Sequence, residues 1–187
     1  MKPHIEETYS PISIHIISLC MAVTVFLITK WIFWVYWNTT VDFLVPRFGP
    51  DSNSFILNCL IIAILFGIHE LIHALTYIIL EKKNTVRFGV VGKHLWLMVH
   101  TDDPMRLGTY RVICLMPAVI LGVFPVLLGF WFGWLNVVLT GGWMIVGSTS
   151  DILLFFRSLK YPKNAVVWNI AESVGFMVNV DTTTTTL

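Results

Sequence analysis

His69-Glu70-Leu71-Ile72-His73 sets two imidazoles four residues apart, with a carboxylate beside the first. In an α-helix positions i and i+4 share a face, so both rings can offer a nitrogen to one metal ion. Glu70 is then placed to act on a water held by that ion. Imidazole suits zinc, and a catalytic zinc keeps three protein ligands and one open position. The stretch that carries this box, Phe55 to Leu80, contains no other charged residue. Two histidines and a glutamate in hydrocarbon are costly unless something binds them. The pattern points to a buried metal site with Glu70 as its base.

The whole chain is apolar enough to give that setting. Apolar residues make up 56% of it and charged residues 12%, and its mean hydropathy is +0.77. A soluble domain is about a quarter charged. We therefore expect an integral membrane protein. A net charge of +1 gives no basis for a nucleic-acid partner. Cys20, Cys59 and Cys114 lie far apart in apolar stretches, with no CxxC pair and no disulfide framework. The polar, acidic start from Met1 to Ser10 and the long apolar run after it do not read as a cleavable signal.

The expected fold is an all-α membrane protein, a four-helix transmembrane bundle with a small membrane-associated β-hairpin between helices two and three. The spans are about 12–37, 55–80, 112–132 and 136–157. Trp31, Trp34, Tyr36 and Trp37 form an aromatic belt on the first, and Lys30 can snorkel outward. The last two spans come from one apolar block, Val112 to Phe156, about twice the 20 or so residues that a bilayer needs. It folds back at Trp131 to Asn136, and Pro117 and Pro125 kink the third helix. In the loop 85–100, β-branched and aromatic residues flank Val91-Gly92-Lys93, which predicts the hairpin. Val174 to Val178 could add a strand, and the Thr182 to Thr186 run looks disordered.

Lysine and arginine set the orientation. Lys82, Lys83, Arg87, Lys93, Arg106 and Arg111 fall between spans two and three, and Arg157, Lys160 and Lys163 follow span four. The segment from Asn38 to Ser54 has Arg47 alone. The N-terminus (1–11) and the tail (162–187) should thus be cytoplasmic, in a multi-pass protein of a prokaryotic cell membrane.

A third ligand must come from the few carboxylates in the spans, and Asp151 is the sole acidic residue of the last two. His73 lies seven residues from the end of its helix and Asp151 six from Arg157. Both then sit roughly 9–11 Å below the cytoplasmic surface. Gly147, Ser148, Thr149 and Ser150 are small enough to let the HExxH helix approach. An alternative reading makes this run a packing motif, with Asp151 bonded to a neighbouring hydroxyl. His94, His100, Asp102 and Asp103 are competing ligands in the cytoplasmic loop, expected to be solvated or interfacial.

An HExxH helix joined by an aspartate from a later helix resembles the site-2 group of intramembrane metalloproteases. The chain is more closely similar to a small family of membrane-embedded zincin metallopeptidases. The resemblance rests on His69 to His73, Phe88-Gly89, Leu115-Met116-Pro117 and Gly147 to Ile152, and covers roughly Phe55 to Tyr161. It implies a zinc metalloprotease acting in the membrane. Site-2 proteases usually carry Leu-Asp-Gly after an Asn-Pro segment; this chain has Ser-Asp-Ile. The hairpin, with Phe88, Gly89 and Val90 as contacts, would hold an extended substrate by its backbone edge.

The expected mechanism uses Zn²⁺ on His69, His73 and Asp151, a bound water with its pKa lowered toward about 7, and Glu70 as the proton carrier. Ser148 is a candidate oxyanion donor. The partners are the lipid bilayer and a membrane protein or peptide substrate. Two other classes fit the same residues: a metal-dependent membrane enzyme acting on a lipid or small molecule, and a non-catalytic metal-binding scaffold. A di-iron histidine-box oxygenase needs more histidines than the 6 present.

Overall fold

Long unbroken apolar runs dominate the sequence, and in a computed structural model of the chain they form helices. Residues 5–41, 54–82, 85–91, 96–101, 103–170 and 173–179 are described. Expected features outside them are the Gly92-Lys93 turn, His94, Asp102, Lys83, Arg47 and the threonine run. The order is β1 (Ile5–Thr8), α1 (Pro11–Trp37), α2 (Ser54–Glu81), β2 (Arg87–Val91), β3 (Trp96–His100) and β4 (Met105–Arg106). Then come α3 (Leu107–Pro117), a π-helical segment (Ala118–Val123), α4 (Phe124–Phe132), α5 (Leu135–Gly147), α6 (Thr149–Ser158), β5 (Val166–Asn169) and β6 (Gly175–Asn179).

Three helices are long and apolar enough to cross a membrane: Pro11–Trp37, Ile56–Glu81 and Leu107–Phe132. The 27 residues of α1 reach about 40 Å at 1.5 Å per residue. Ile12, Ile16, Leu19, Val23, Leu27, Trp31 and Trp34 stand exposed along it. In water such a stripe would be an aggregation liability; in hydrocarbon it is the ordinary surface. The chain is a membrane protein. The expected fourth span falls on two helices, α5 and α6, bent by 53° at the break and together apolar enough for one broken span or a re-entrant loop.

The chain divides into two compact units. One unit holds His15–His69 and Pro117–Thr149. Its core gathers Phe33, Val41 and Val138, flanked by Phe26, Val126, Phe130 and Leu135. Gly133 takes φ +69° at the end of α4, the left-handed cap that lets the chain reverse into α5. A Cβ on Gly141 would lie 2.8 Å from the Gly122 carbonyl, so the two backbones touch through glycine.

The other unit holds the first 14 residues, Glu70–Met116 and Ser150–Leu187. Tyr77, Leu107, Tyr110, Cys114, Leu154, Val167, Phe176 and Val178 form its core. It contains an element that the all-α expectation lacks: a four-stranded antiparallel sheet in the order β1-β6-β5-β4. Residues expected to be an N-terminal extension and a tail thus contain paired strands, the one at Gly175–Asn179 where a strand was expected from Val174 to Val178, with Ile5 opposite Val178 and Met105 opposite Val167. A separate two-stranded sheet pairs β2 with β3, as the hairpin reading anticipated, from Arg87 opposite His100 to Val91 opposite Trp96.

The N-terminal strand is tied down by charge. Buried Glu7 accepts from Arg157 Nε and, at 2.7 Å, from the Tyr161 hydroxyl; Lys160 Nζ lies 3.8 Å away. The Arg157 guanidinium also sits 4.8 Å over the Tyr9 ring. Burial pushes the Glu7 carboxyl up, but the Tyr161 and Arg157 hydrogen bonds and the two cationic charges outweigh it and hold it below its ordinary 4.5. Burial and the bond to Glu7 push the Tyr161 phenol up to about 12. A lowered carboxyl stabilises the fold above its unfolded value and loses that contribution as pH falls through the folded one; a raised phenol does so below 10 and loses it toward about 12. Glu7→Gln should destabilise the fold at pH 7 by roughly 1.5–3 kcal/mol, the worth of a hydrogen bond to a charged group, and so lower the melting temperature. The gap to wild type should close below about pH 4. Thermal melts of both proteins across that range test it.

Candidate metal centre

The metal box lies within α2, and helical periodicity does there what the spacing requires. His69 and His73 are both buried, at 4% and 9% exposure. One ligand atom each from His69, His73 and Asp151 lies within 4.8 Å of the others. Both rings ride on one unbroken helix, so α2 itself fixes their relation. Upstream, Gly147 permits a close approach: a Cβ there would meet the Phe66 ring at 2.7 Å, and Phe66 lies three residues before His69. Small residues thus let helices pack beside the box, as expected of the Gly147 to Ser150 run.

Asp151 stands in the first turn of α6, the short helix that begins after the break at Ser148. A carboxylate at a helix N-terminus is favoured by the aligned peptide dipoles. Its Oδ2 lies 3.5 Å from His73 Nε2. The other ring nitrogen of His73, Nδ1, is 3.0 Å from the Ile113 carbonyl oxygen. A carbonyl can only accept, so Nδ1 carries the proton and donates. With that proton on Nδ1, Nε2 faces Asp151 and is the nitrogen left to hold an ion, the arrangement that a metal ligand needs. Zinc–ligand distances near 2.0–2.1 Å in a tetrahedron put ligand atoms about 3.3–3.4 Å apart. The His73–Asp151 separation matches that edge. Two imidazoles and a carboxylate are also a donor set that zinc accepts. The residues fit the ion.

Glu70 Oε2 accepts from the Val99 amide at 2.9 Å. Strand β3 is thereby brought to the box by its backbone, a contact that no residue type announces. Two turns further along α2, Tyr77 is buried and anchors the chain on either side of the hairpin. Thr101 donates to Tyr77, Tyr77 lies 3.2 Å from Thr85, and Thr85 donates to Asp103 at 2.7 Å. Thr85 precedes β2 and Thr101 follows β3, so this hydroxyl chain fixes the hairpin's base on α2.

The remaining candidates fall elsewhere. Phe88, Gly89 and Val90 lie on β2, opposite Val99, Met98 and Leu97. The Ser148 hydroxyl donates to the Met144 carbonyl at 2.8 Å, which commits its proton to α5. Asp103 serves Thr85. Among the described residues, His69, His73 and Asp151 are the group that could hold an ion.

A family described as "Putative zincin peptidase" matches residues 62–166, more than half of the chain. The matched stretch contains the box, the hairpin, the proline-bearing α3 and Asp151. The chain belongs to this family. No curated protein and no solved structure matches it. Membership in the zincin peptidase family supports, at a coarse level, a zinc-dependent peptidase. Metal analysis of the detergent-purified protein should find about one zinc per chain. His73→Ala and Asp151→Ala should each weaken it by more than the roughly 10–100-fold that loss of a supporting partner costs.

Proposed function

We propose that the chain is an intramembrane zinc endopeptidase, cutting membrane-embedded or juxtamembrane peptides near the cytoplasmic side. The observation that carries this reading is the joint placement of His69, His73 and Asp151 with Glu70 on a helix apolar and long enough to span a bilayer. Family membership supports the peptidase part. The concentration of lysine and arginine after α2 and after α6 supports the cytoplasmic side.

Zinc, when held by the two histidines and the aspartate, would acidify a water and polarise the scissile carbonyl. The chain's own residues do the rest. Glu70 accepts a proton from the attacking water and returns it to the leaving amine. Ile113 and Asp151 fix the orientation of His73. The Val99 amide holds one oxygen of Glu70, which orients the carboxylate that carries the proton.

Strand β3 also supports a peptide substrate. Val99 is opposite Phe88 in the ladder, yet its N–H points to Glu70. That pair is therefore of the non-hydrogen-bonded kind; with the Val99 N–H on Glu70, the outward groups of β3 that face an added strand are those of Leu97 and the Val99 carbonyl. An extended peptide could pair along that edge whatever its side chains, beside the proton carrier. A membrane helix must unwind to be cut, and an edge strand offers its freed amides partners.

Synthetic transmembrane peptides incubated with the zinc-loaded protein in nanodiscs test the reading. We expect cleavage by wild type and a fall of roughly 10²–10⁴-fold in Glu70→Gln at unchanged zinc content. Equal rates in the two proteins would sink the mechanism. Zinc-loaded protein that leaves every peptide intact but hydrolyses a lipid ester would move the function to the lipid class.

A further inference from the structure

Helix α3 contains a proline at its last position, Pro117, fully buried and followed by the π-helical segment Ala118–Val123. Proline has no N–H, and its ring crowds the carbonyl four residues earlier. Four residues before Pro117 is Ile113. The Ile113 carbonyl therefore lacks the amide that would normally bond it within α3. It is this carbonyl, out of all those along the helix, that accepts the Nδ1–H of His73 at 3.0 Å. An intact helix would have offered a carbonyl already engaged, and a second bond to it would be weaker and less well aimed.

We propose that Pro117 is a positioning residue for the metal centre: by withholding an amide it frees the Ile113 carbonyl to fix the tautomer and aim of His73. The effect passes through one backbone oxygen, so Pro117 needs no contact with ion or substrate. The inference rests on reading His73 as a zinc ligand. It gives the proline a role that bending a helix would not. A proline kept only for a kink would leave the affinity for zinc indifferent to the restored amide.

Pro117→Ala returns the N–H and relieves the ring's crowding, so the two properties should move in opposite directions. Metal-free Pro117→Ala should melt no lower than wild type, since alanine is the better helix former. Its zinc affinity, measured by chelator competition, should fall roughly 10–100-fold, the cost of losing a supporting hydrogen bond on a ligand. Unchanged affinity would overturn the proposal, as would a loss of affinity that merely follows a loss of stability. A second measurement needs no variant. In wild type labelled with ¹⁵N-histidine, His73, identified by its loss in His73→Ala, should show a protonated, slowly exchanging Nδ1. A His73 ring protonated at Nε2 and not at Nδ1 would refute the inference even if Pro117→Ala failed to fold. Should wild type bind no zinc, the peptidase reading fails, while the ring's tautomer still decides whether Ile113 holds it.

Discussion

Everything near the centre follows from one constraint: a polar group inside an apolar helix bundle must find its partner there, because hydrocarbon supplies none. Helix α2 carries two histidines and a glutamate where its neighbours are aliphatic. Each needs a partner from outside its own helix, since an α-helix spends its backbone groups on itself. His73 takes one from α3 and another from α6, and Glu70 takes one from β3. The site is thus a convergence of elements on α2. The small residue Gly147 makes part of that approach possible by admitting Phe66.

The box was legible because its information is local. Four-residue spacing in a helical run states which side chains share a face, and residue type states what they can bind. Asp151 could be picked out by elimination, since few carboxylates occur in the apolar stretches. The reversal at Gly133 and the pairing of β2 with β3 were legible for a similar reason, a glycine between strongly patterned segments. The four-stranded sheet was not. Its strands are two to five residues long, and Ile5 pairs with Val178 across nearly the whole chain. Nothing local sets that register. Long-range ionic contacts, such as Glu7 with Arg157 and Tyr161, leave no pattern in the sequence either.

Backbone contributions were illegible in a different way. The Val99 amide and the Ile113 carbonyl are groups that every non-proline residue possesses, so their identity carries no signal. The residues proposed from the hairpin, Phe88, Gly89 and Val90, belong to β2, whereas the strand that reaches Glu70 is β3. A motif search weights side chains; this site is trimmed by peptide groups. Pro117 is the exception that shows the rule. It was visible as a residue that bends a helix, but its consequence falls four residues earlier, on an oxygen.

That consequence suggests why the other helices at the site are irregular where they serve it. A bundle of perfect helices has no spare carbonyl to orient a ring and no fresh N-terminus to favour a carboxylate. Both appear here at defects. Pro117 offers the Ile113 carbonyl no amide, and the break at Ser148 opens a new helix with Asp151 in its first turn. Meanwhile α2, which carries both histidines of the candidate site, runs unbroken from Ser54 to Glu81. Regular helix gives precision to the ligands, and broken helix supplies the polar groups that orient them. In an apolar medium those two needs cannot be met by the same segment. The division of labour between α2 and the pair α3 and α6 is a form that suits the candidate metal site in an apolar medium.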